Sequence, residues 1–339
     1  MHQHVILNPT SGGGAGRKLR GEIERELAAR GVSFTLSETE RPWHAAELAQ
    51  AAVRAGADVV VAAGGDGTAH EVANGLLTLP NGAGDRLAAM GVIPVGTGND
   101  FAKLLVGGMD RRRSYDVLAA AQVTRFDVGR ITWSGAEGAS GADGAPGSGA
   151  EYLINSIGTG VDVEVLRQIK RLPRMPGVLG YLVGLLRAVI GFKAIPLRIR
   201  LDERALDRKV MIIAVQNGPC LGGGFWVCPS ARADDGRLDI CMVGDLNYVQ
   251  IARTIPRVMR GTHEHLAVVT MDRAKTIELE APGAAPLFFQ LDGELREPAH
   301  AHRLRIELVP AALRVVGARA PTAGTGAATP ATGRAEGGA

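Results

Sequence analysis

The chain has 339 residues, of which 22% are charged and 46% hydrophobic, and its formal net charge is +3. This length favours two domains, and this composition excludes a wholly disordered chain and a coiled coil. The net charge is too small to indicate a nucleic-acid partner, so we expect none. Glycine is unusually frequent, at 46 residues, which predicts many tight turns and ligand loops.

The expected compartment is the cytoplasm. Cys220, Cys228 and Cys241 form no CxxC pair, which argues against a disulfide framework and against a structural zinc site. The apolar start at residues 5–7 is too short for a secretory signal. The longest apolar run, residues 178–186, is well below the about 20 residues that cross a bilayer. We therefore expect a protein without a membrane span.

Strand-like runs alternate with helical patterns over the first hundred residues. Leu19, Ile23 and Leu27 recur four apart, which predicts one helix, and residues 45–55 form an alanine-rich helical pattern. The strands expected around these helices lie at residues 5–7, 34–36 and 59–61. This alternation predicts a three-layer α/β domain with a mostly parallel sheet, which we assign to residues 1–125.

The second half of the chain contains many strand-like runs and few helical patterns. It predicts a β-rich, sandwich-like domain over residues 126–316. Residues 134–151 are dense in Gly, Ala and Ser, so we expect a mobile loop that joins two strands. Residues 317–339 repeat that composition and are expected to be a disordered tail.

Three segments combine a strand, a glycine-rich turn and a helix: residues 8–16 (NPTSGGGAG), 64–68 (GGDGT) and 96–100 (GTGND). In a parallel sheet such turns meet at the carboxyl ends of the strands, where glycine lets the backbone approach a ligand. A helix that follows directs free N–H groups toward an anion, so phosphate is the expected ligand. Neither GxGxxG nor the GxxxxGK[ST] P-loop occurs, which excludes those two phosphate motifs.

Asp66 stands inside the second turn, where a phosphate would repel it unless a cation intervened. This position suggests Mg²⁺, with the Thr68 hydroxyl nearby. Asp66 or Thr68 could equally cap the following helix, so the cap and metal interpretations stay open.

These motifs together resemble the bacterial diacylglycerol kinase and lipid kinase family, whose relatives include the sphingosine kinases. In the second half, NSIGTG (residues 155–160), ADDGRLD (233–239) and DGE (292–294) occur in the order of that family. The similarity covers nearly the whole chain except residues 134–151 and the tail. It implies an ATP-dependent lipid kinase with its active site in the cleft between two domains.

The resemblance implies a set of ATP-binding residues around the three turns and one strand end. They are Asn8, Pro9, Thr10, Ser11, Gly12, Gly13, Thr39, Gly64, Gly65, Asp66, Gly67, Thr68, Ala69, His70, Gly96, Thr97 and Asn99.

The resemblance also implies catalytic and metal roles. Glu294 matches the proton acceptor of the family, with Asp66 and Asp292 as further catalytic residues. Asp66 and Asp100 match acidic positions near the catalytic Mg²⁺. A second, structural Mg²⁺ is implied at the Asp235 side chain and at the backbone carbonyls of Arg232 and Arg237. Without the resemblance, residues 292–294 would be interpreted as a hairpin turn, because Asp-Gly favours one.

The expected chemistry is transfer of the γ-phosphoryl group of ATP to an alcohol, which needs charge neutralisation, positioning and a base. Diacylglycerol, giving phosphatidic acid, is the favoured acceptor. A sphingoid base, phosphatidylglycerol, NAD and a non-catalytic lipid-binding role stay open. Hydrolase motifs are absent, and His263, Glu264 and His265 are expected to be solvated.

Positive charge is concentrated between Glu164 and Asp202, where eight Lys and Arg residues and no acid surround the segment MPGVLGYLVGLL. This pattern suggests peripheral docking on an anionic membrane surface, the inner face of the membrane for a cytoplasmic protein. A core helix with solvated arginines is the alternative. The oligomeric state stays open, a homodimer included.

Overall fold

The computed structural model describes residues 1–79, 88–134, 149–173, 177–283, 286–298 and 301–317. In this part of the chain the strands are β1 (His2–Leu7), β2 (Ser33–Glu38), β3 (Val59–Gly64), β4 (Ala89–Pro94), β5 (Val123–Ser134), β6 (Gly149–Leu153), β7 (Ser156–Gly160), β8 (Ile195–Leu201), β9 (Arg204–Val210), β10 (Ile212–Gln216), β11 (Leu238–Val243), β12 (Val269–Ala274), β13 (Thr276–Glu280), β14 (Phe289–Leu291), β15 (Glu294–Arg296) and β16 (Arg303–Val316). The helices are α1 (Ser11–Gly14), α2 (Gly16–Ala29), α3 (His44–Arg54), α4 (Asp66–Leu77), α5 (Asp100–Val106), α6 (Arg111–Ala120), α7 (Val161–Arg171), α8 (Gly177–Ala188) and α9 (Tyr248–Arg260).

The N-terminal domain is built on four parallel strands in the order β2-β1-β3-β4. β3 has the sequence VVVAAG and is buried at every position, as a strand covered on both faces must be. Leu19, Ile23 and Leu27 of α2 are buried against one face of the sheet, with α6 beside them. α3, α4 and α5 cover the other face. The predicted three-layer α/β domain with a mostly parallel sheet is confirmed.

The C-terminal domain is a sandwich of antiparallel strands. One sheet has the order β12-β11-β10-β7-β14-β15, and β5, β6, β8, β9, β13 and β16 belong to the other. Leucine, isoleucine and valine from both sheets fill the space between them. The predicted β-rich, sandwich-like domain is therefore confirmed.

Two long strands connect the domains. β16 pairs in parallel with β4 of the N-terminal domain at Val315 and Met90, and antiparallel with β13 of the sandwich. β5 pairs with β16 along most of its length. The expected boundary after residue 125 falls inside β5 and stays a prediction, because one sheet continues through both domains.

Two helices of the C-terminal domain, α7 and α9, were not predicted from the sequence, and α8 lies in the segment for which a core helix was the alternative. α7 follows β7 directly, and α8 packs on α7. α9 begins at a capping box in which the Asn247 and Gln250 side chains bond each other's backbone N–H groups. α8 and α9 share one apolar cluster, so together they form a layer on the β10–β11 side of the sandwich.

Two predicted segments fall largely outside the described residues. The predicted loop 134–151 is described only at Ser134, which ends β5, and from Gly149, which begins β6. Of the predicted tail 317–339, only Gly317 is described. No helix in the described ranges combines the length and the hydrophobicity that a bilayer span requires.

Candidate active site

The three glycine-rich turns lie side by side at the carboxyl ends of β1, β3 and β4. The Asn8 amide donates to Thr68 Oγ1 at 3.0 Å, which joins the first turn to the second. Gly65 and Gly96 approach so closely that a methyl group on Gly96 would overlap the Gly65 Cα atom. Because α4 begins at the second turn, its free N–H groups and the glycine backbone face one shared space, which suits phosphate.

Asp66 and Asp100 point toward the same glycine. A methyl group on Gly98 would lie 2.9 Å from Asp66 Oδ2 and 3.8 Å from Asp100 Oδ2. Asp66 Oδ1 accepts the Phe101 N–H at 3.1 Å, so Oδ2 is the oxygen that faces the cleft. Burial, followed by the Asp100 carboxylate, raises the pKa of Asp66 to about 7. Two adjacent carboxylate oxygens in a low-dielectric position fit a hard divalent cation such as Mg²⁺.

Asp100 also connects the two domains. It accepts the Gly223 N–H at 3.0 Å and the Lys103 ammonium at 2.8 Å. Lys103 in turn donates to the Gly223 carbonyl at 2.6 Å. The Asp100 side chain is therefore held between α5 and a turn of the C-terminal domain.

Glu294 reaches the second turn from the C-terminal domain. It begins β15 after the turn at Asp292 and Gly293, and a methyl group on Gly67 would lie 2.8 Å from Glu294 Oε1. Its side chain is exposed to the cleft and lines the same cavity as Asp66. A carboxylate thus faces the phosphate turns across the domain boundary.

Asp292 is a buried hydrogen-bond centre of the same turn. Its carboxylate accepts the N–H groups of Ile154, Asn155 and Ser156 at 2.8–3.0 Å. Asp292 Oδ2 also lies 2.8 Å from His70 Nδ1 of α4. With both oxygens engaged, the Asp292 side chain fixes the turn that carries Glu294 and attaches it to the N-terminal domain.

His70 lies between two carboxylates. Its Nδ1 is 2.8 Å from Asp292 Oδ2 and its Nε2 is 2.8 Å from Glu151 Oε2, while only 1% of the side chain is exposed. Burial alone would lower the pKa of His70, but Asp292 and Glu151 outweigh it and raise the pKa to about 9. Glu151 also accepts two N–H groups of Arg296. A protonated His70 therefore belongs to a charged network across the domain boundary.

Two polar cavities meet at Gly67 and Glu294. The interdomain cleft, of about 460 Å³, extends from Asn8 and Asp66 to Asp162 and Tyr181. The second cavity, of about 450 Å³, lies on the other side of Glu294 and is lined by Thr39, Trp43 and Arg296 among others. Together they could contain an extended ligand with an aromatic end and a charged end.

A third cavity, of about 110 Å³, is almost wholly apolar and lies between α7, α8 and α9. It shares Asp162, Tyr181 and Leu221 with the polar cleft, so the two adjoin there. Asp162 is 2% exposed, and its Oδ1 accepts the Val163 N–H at 2.9 Å. Oδ2 has no hydrogen bond of regular geometry within the described ranges. Burial raises the pKa of Asp162 to about 7, although Val163 and Gln290 partly offset it.

Comparison with known proteins agrees with this architecture. The diacylglycerol kinase catalytic domain matches residues 2–131, and the YegS C-terminal NAD kinase beta sandwich-like domain matches residues 155–317. The diacylglycerol kinase of Mycobacterium tuberculosis is 30% identical over 92% of this chain and 94% of its own length. A Xanthomonas euvesicatoria pv. vesicatoria protein named as a YegS-like lipid kinase is 31% identical, over 93% of this chain and 95% of its own. The chain belongs to the diacylglycerol kinase and YegS-like lipid kinase family.

A solved structure supports the fold. A crystal structure from Bacillus anthracis str. Sterne, assigned to the diacylglycerol kinases, has a TM-score of 0.73 at 23% identity and covers 94% of this chain and 95% of its own. Membership of this lipid kinase family implies use of ATP and a lipid substrate. The resemblance seen in the motifs is therefore confirmed at the level of the family and the fold.

Most of the residues that the motifs single out converge on this cleft, although their roles stay predictions. Asn8, Ser11, Gly65, Asp66, Gly67, Thr68, Thr97, Asp100, Asp292 and Glu294 line the interdomain cleft. Thr10 and Thr39 line the adjoining cavity. Pro9, Gly12, Gly13, Gly64, Ala69, Gly96 and Asn99 lie in or beside the same turns. The His70 ring also faces the Thr39 cavity, but its two nitrogens are bound to Asp292 and Glu151, so any nucleotide contact would need another part of the residue.

The predicted structural metal site lies away from the cleft. Asp235 Oδ1 accepts the Arg237 N–H at 3.1 Å, and Asp235 Oδ2 lies 3.7 Å from the Arg273 guanidinium. Arg273 thus already supplies positive charge to this loop, and the Arg232 side chain bonds to Asp234. Within the described ranges no cluster of three His, Cys, Asp or Glu residues could hold an ion. The metal role of Arg232, Asp235 and Arg237 stays a prediction.

Several residues of the site were not found from the sequence. Glu151 was grouped with the glycine-rich loop, yet it is an ordered part of β6 that binds His70 and Arg296. Asp162 had a detectable signal, because it follows the NSIGTG strand at the start of a helix. His263 was expected to be solvated, but it is fully buried and its ring lies 3.1 Å from the Val227 carbonyl, so that expectation was wrong.

Proposed function

We propose that this protein transfers the γ-phosphoryl group of ATP to the hydroxyl of a membrane lipid, with diacylglycerol as the favoured acceptor and phosphatidic acid as the product. The observation that carries the proposal is the junction at Asp162, where a polar phosphate cleft adjoins an apolar cavity. A soluble alcohol needs no such cavity, whereas the acyl chain of a lipid does.

The nucleotide would span the two polar cavities. Its phosphates fit the glycine turns near Asn8 and Gly65, where N–H groups are available. The base and ribose fit the cavity between Thr39 and Trp43, where an exposed indole provides an aromatic face. This arrangement directs the terminal phosphate toward Glu294 and the acceptor side of the cleft.

Asp66 and Asp100 are the residues that would hold Mg²⁺, because Asp66 Oδ2 and Asp100 Oδ2 face the same point beside Gly98. When bound there, the ion supplies positive charge against the phosphates of the nucleotide. The Lys103 ammonium adds a further positive charge next to Asp100. Repulsion between carboxylates and phosphates is thereby removed.

Glu294 is proposed as the general base. It would accept the proton from the lipid hydroxyl while the hydroxyl oxygen forms a bond to the γ-phosphorus and ADP leaves. Asp292 would act as a positioning residue, because its carboxylate is fully used in holding the turn before Glu294. The charged network of His70 would keep the two domains at the distance this transfer requires.

Asp162 would orient the acceptor. Asp162 lines both the phosphate cleft and the apolar cavity, and the polar head of a lipid would be located where the two adjoin. The ester carbonyl of diacylglycerol would accept a hydrogen bond from the protonated Asp162 carboxyl group, whose pKa burial raises to about 7. This bond would satisfy a buried polar group that is costly to leave unbonded, and the lipid hydroxyl would stay available to give its proton to Glu294.

The deciding experiment uses labelled ATP and mixed micelles that each contain one lipid: diacylglycerol, a sphingoid base or phosphatidylglycerol. Each is tested with Mg²⁺ and with excess chelator, and soluble NAD serves as a further acceptor. We expect labelled phosphatidic acid, formed only with Mg²⁺. Labelling of NAD alone, or of no lipid, would contradict the proposal.

A further inference from the structure

Exposed apolar side chains cluster where α8 ends and α9 begins. Leu186 and Ile190 are four residues apart and are 51% and 71% exposed. Tyr248 and Val249 open α9 and are 61% and 59% exposed. The Gly191 N–H donates to the Tyr248 hydroxyl at 3.2 Å, which joins the two groups. We call these four side chains, together with the basic residues that surround them, the α8–α9 face.

The surroundings of these side chains are cationic. Exposed basic residues lie on both elements and on the segment after α8: Arg187, Lys193, Arg253, Arg257 and Arg260. Neither α8 nor α9 contains an acidic residue, and Asp245 is the nearest acid before α9 in the sequence. Within the described ranges, no carboxylate forms a salt bridge with any of the five. The face therefore combines unburied apolar groups with uncompensated positive charge.

This face differs from the surface that the charge pattern of residues 164–202 suggested. Arg198 and Arg200 lie on β8 and pair with Asp207 and Glu278, while Arg167 pairs with Glu164 and Glu297. These three residues are neutralised by neighbours and cannot contribute fully to a docking surface. The docking surface proposed here instead takes positive charge from α9, outside residues 164–202, at Arg253, Arg257 and Arg260.

The apolar cavity lies directly beneath the face. Leu185 of α8 and Val189, which follows it, line the cavity on one side, and Ile251 and Ile255 line it from α9. A lipid that left a bilayer at this face would reach the cavity and then the cleft at Asp162 without crossing the polar surface of the protein. Apolar side chains among basic ones are the combination that an anionic bilayer attracts.

We propose that the α8–α9 face docks on an anionic lipid bilayer and admits the lipid acceptor between α8 and α9. The role of this face in admitting an acceptor rests on the proposed function. Binding to vesicles does not, because it is measured without ATP or turnover. Ile190 and Val249 enter the interface between head groups and chains, and Arg253 and Arg257 contact anionic head groups.

The test is cosedimentation of the full chain with two kinds of vesicle: phosphatidylcholine alone, and phosphatidylcholine in which about one third of the lipid is phosphatidylglycerol. We expect at least about tenfold stronger binding to the anionic vesicles, weakened by salt. Arg253→Glu with Arg257→Glu should lower that binding about tenfold or more. Ile190→Ser with Val249→Ser should lower it by a similar factor.

The matched control is Arg208→Glu with Lys209→Glu on the edge strand β9, which changes the net charge equally at exposed positions elsewhere. It should bind anionic vesicles almost as well as the parent chain. Equal loss in the control, or binding that ignores lipid charge, would overturn the proposal. So would a serine variant that binds vesicles normally but changes a dimer into a monomer by light scattering, because the face would then join two copies.

A second measurement separates this proposal from the proposed function. The docking variants should phosphorylate a short-chain, water-dissolved acceptor at the parent rate, because they leave the cleft intact. If the parent chain binds vesicles but phosphorylates no lipid, the proposed function fails and docking stands. If lipid is phosphorylated in micelles but the chain ignores anionic vesicles, docking fails and the proposed function stands.

Discussion

The two sides of the cleft are built from different parts of the chain. On the α/β side the surface is mostly backbone: Gly12 has a φ of +60°, and a methyl group there would lie 2.5 Å from the Val95 carbonyl oxygen. On the sandwich side the surface is made of side chains, with Glu294 opposite the turns and Asp162 beside the apolar cavity. Backbone surrounds the proposed phosphates, and side chains surround the proposed acceptor.

This difference has a chemical reason. All nucleoside triphosphates present the same phosphate chain, so N–H groups fixed by glycine turns can bind it in one geometry. Acceptors differ in shape and polarity, and only side chains can provide that variety. Substitutions in the glycine turns of the α/β side should therefore be poorly tolerated. On the sandwich side, different residues should act as the base, bind the head group and bind the acyl chain.

The largest effect on turnover is expected from substitution of Glu294, where the two sides of the cleft face each other. Glu294→Gln keeps the size of the side chain but cannot accept the proton, so turnover should fall by about 10² to 10⁴. ATP affinity, measured by calorimetry, should stay nearly unchanged. Glu297→Gln, three residues further on and bound to Arg167, is the control and should keep its turnover. Unchanged turnover in Glu294→Gln would exclude Glu294 as the base.

The Asp66 variant tests the proposed Mg²⁺ position on the α/β side of the cleft. Asp66→Asn preserves the hydrogen bond from Phe101 but removes a negative charge from the proposed Mg²⁺ position. We expect turnover to fall by about 10² and to require more Mg²⁺ for half-maximal activity. Asp272→Asn, on β12, is the control. A variant with the Mg²⁺ response of the parent chain would show that the Asp66 side chain serves only to bind the Phe101 N–H at the start of α5.

The difference between the two sides of the cleft also explains which parts of the site could be predicted from sequence. Asn8, Gly65, Asp66 and Gly96 were identified because a turn between a strand and a helix is local, and its glycines can be recognised in the sequence. The α/β order of the first half was predicted correctly for the same reason. These features depend on neighbours within about ten residues.

The sandwich side depends on contacts between distant residues, which spacing in the sequence does not encode. Glu151 binds His70, 81 positions away, and Asp292 binds Asn155, 137 positions away. The position of Asp162 after the NSIGTG strand is a local signal, but its role depends on burial, which leaves one of its oxygens without a hydrogen bond of regular geometry.

α9 is a different case, because it was missed although Ile251, Ile255 and Val258 recur at helical spacing after the capping box at Asn247. Pro256 lies inside this run, and proline usually ends or kinks a helix.

His70 tests whether the two sides are held together by charge. His70→Gln should lower the free energy of unfolding by on the order of 3 kcal/mol, since it leaves Asp292 and Glu151 without their buried partner. Denaturant unfolding at neutral pH measures this loss. His265→Gln, at an exposed position, is the control and should be within error of the parent chain. If the His70 variant were as stable as its control, the charged network would contribute nothing to the free energy of unfolding.

The difference in free energy of unfolding between the parent chain and His70→Gln should depend on pH in a defined direction. The pKa of His70 rises from 6.5 to about 9 on folding, so its contribution is complete below pH 6.5 and is lost as pH rises toward 9. Burial tends to raise the pKa of Glu151, but His70 and Arg296 lower it from 4.5 to about 2, so its contribution is lost as pH falls below 4.5. The stability gap between the parent and His70→Gln should therefore be largest between pH 4.5 and 6.5 and narrow toward pH 9.

The smallest effect is expected in the apolar cavity, where no reacting group lies. Val165→Phe adds an aromatic ring to a cavity of about 110 Å³, so it should raise the KM for a long-chain acceptor by about tenfold and cost roughly 1–3 kcal/mol of stability. A short-chain acceptor should keep its kcat/KM, because its chain does not reach the cavity. Ile251→Ala, which enlarges the same cavity, should not raise the long-chain KM in this way. If Val165→Phe slowed both acceptors equally, the cavity would be a packing defect and the acyl chain would lie elsewhere along the cleft.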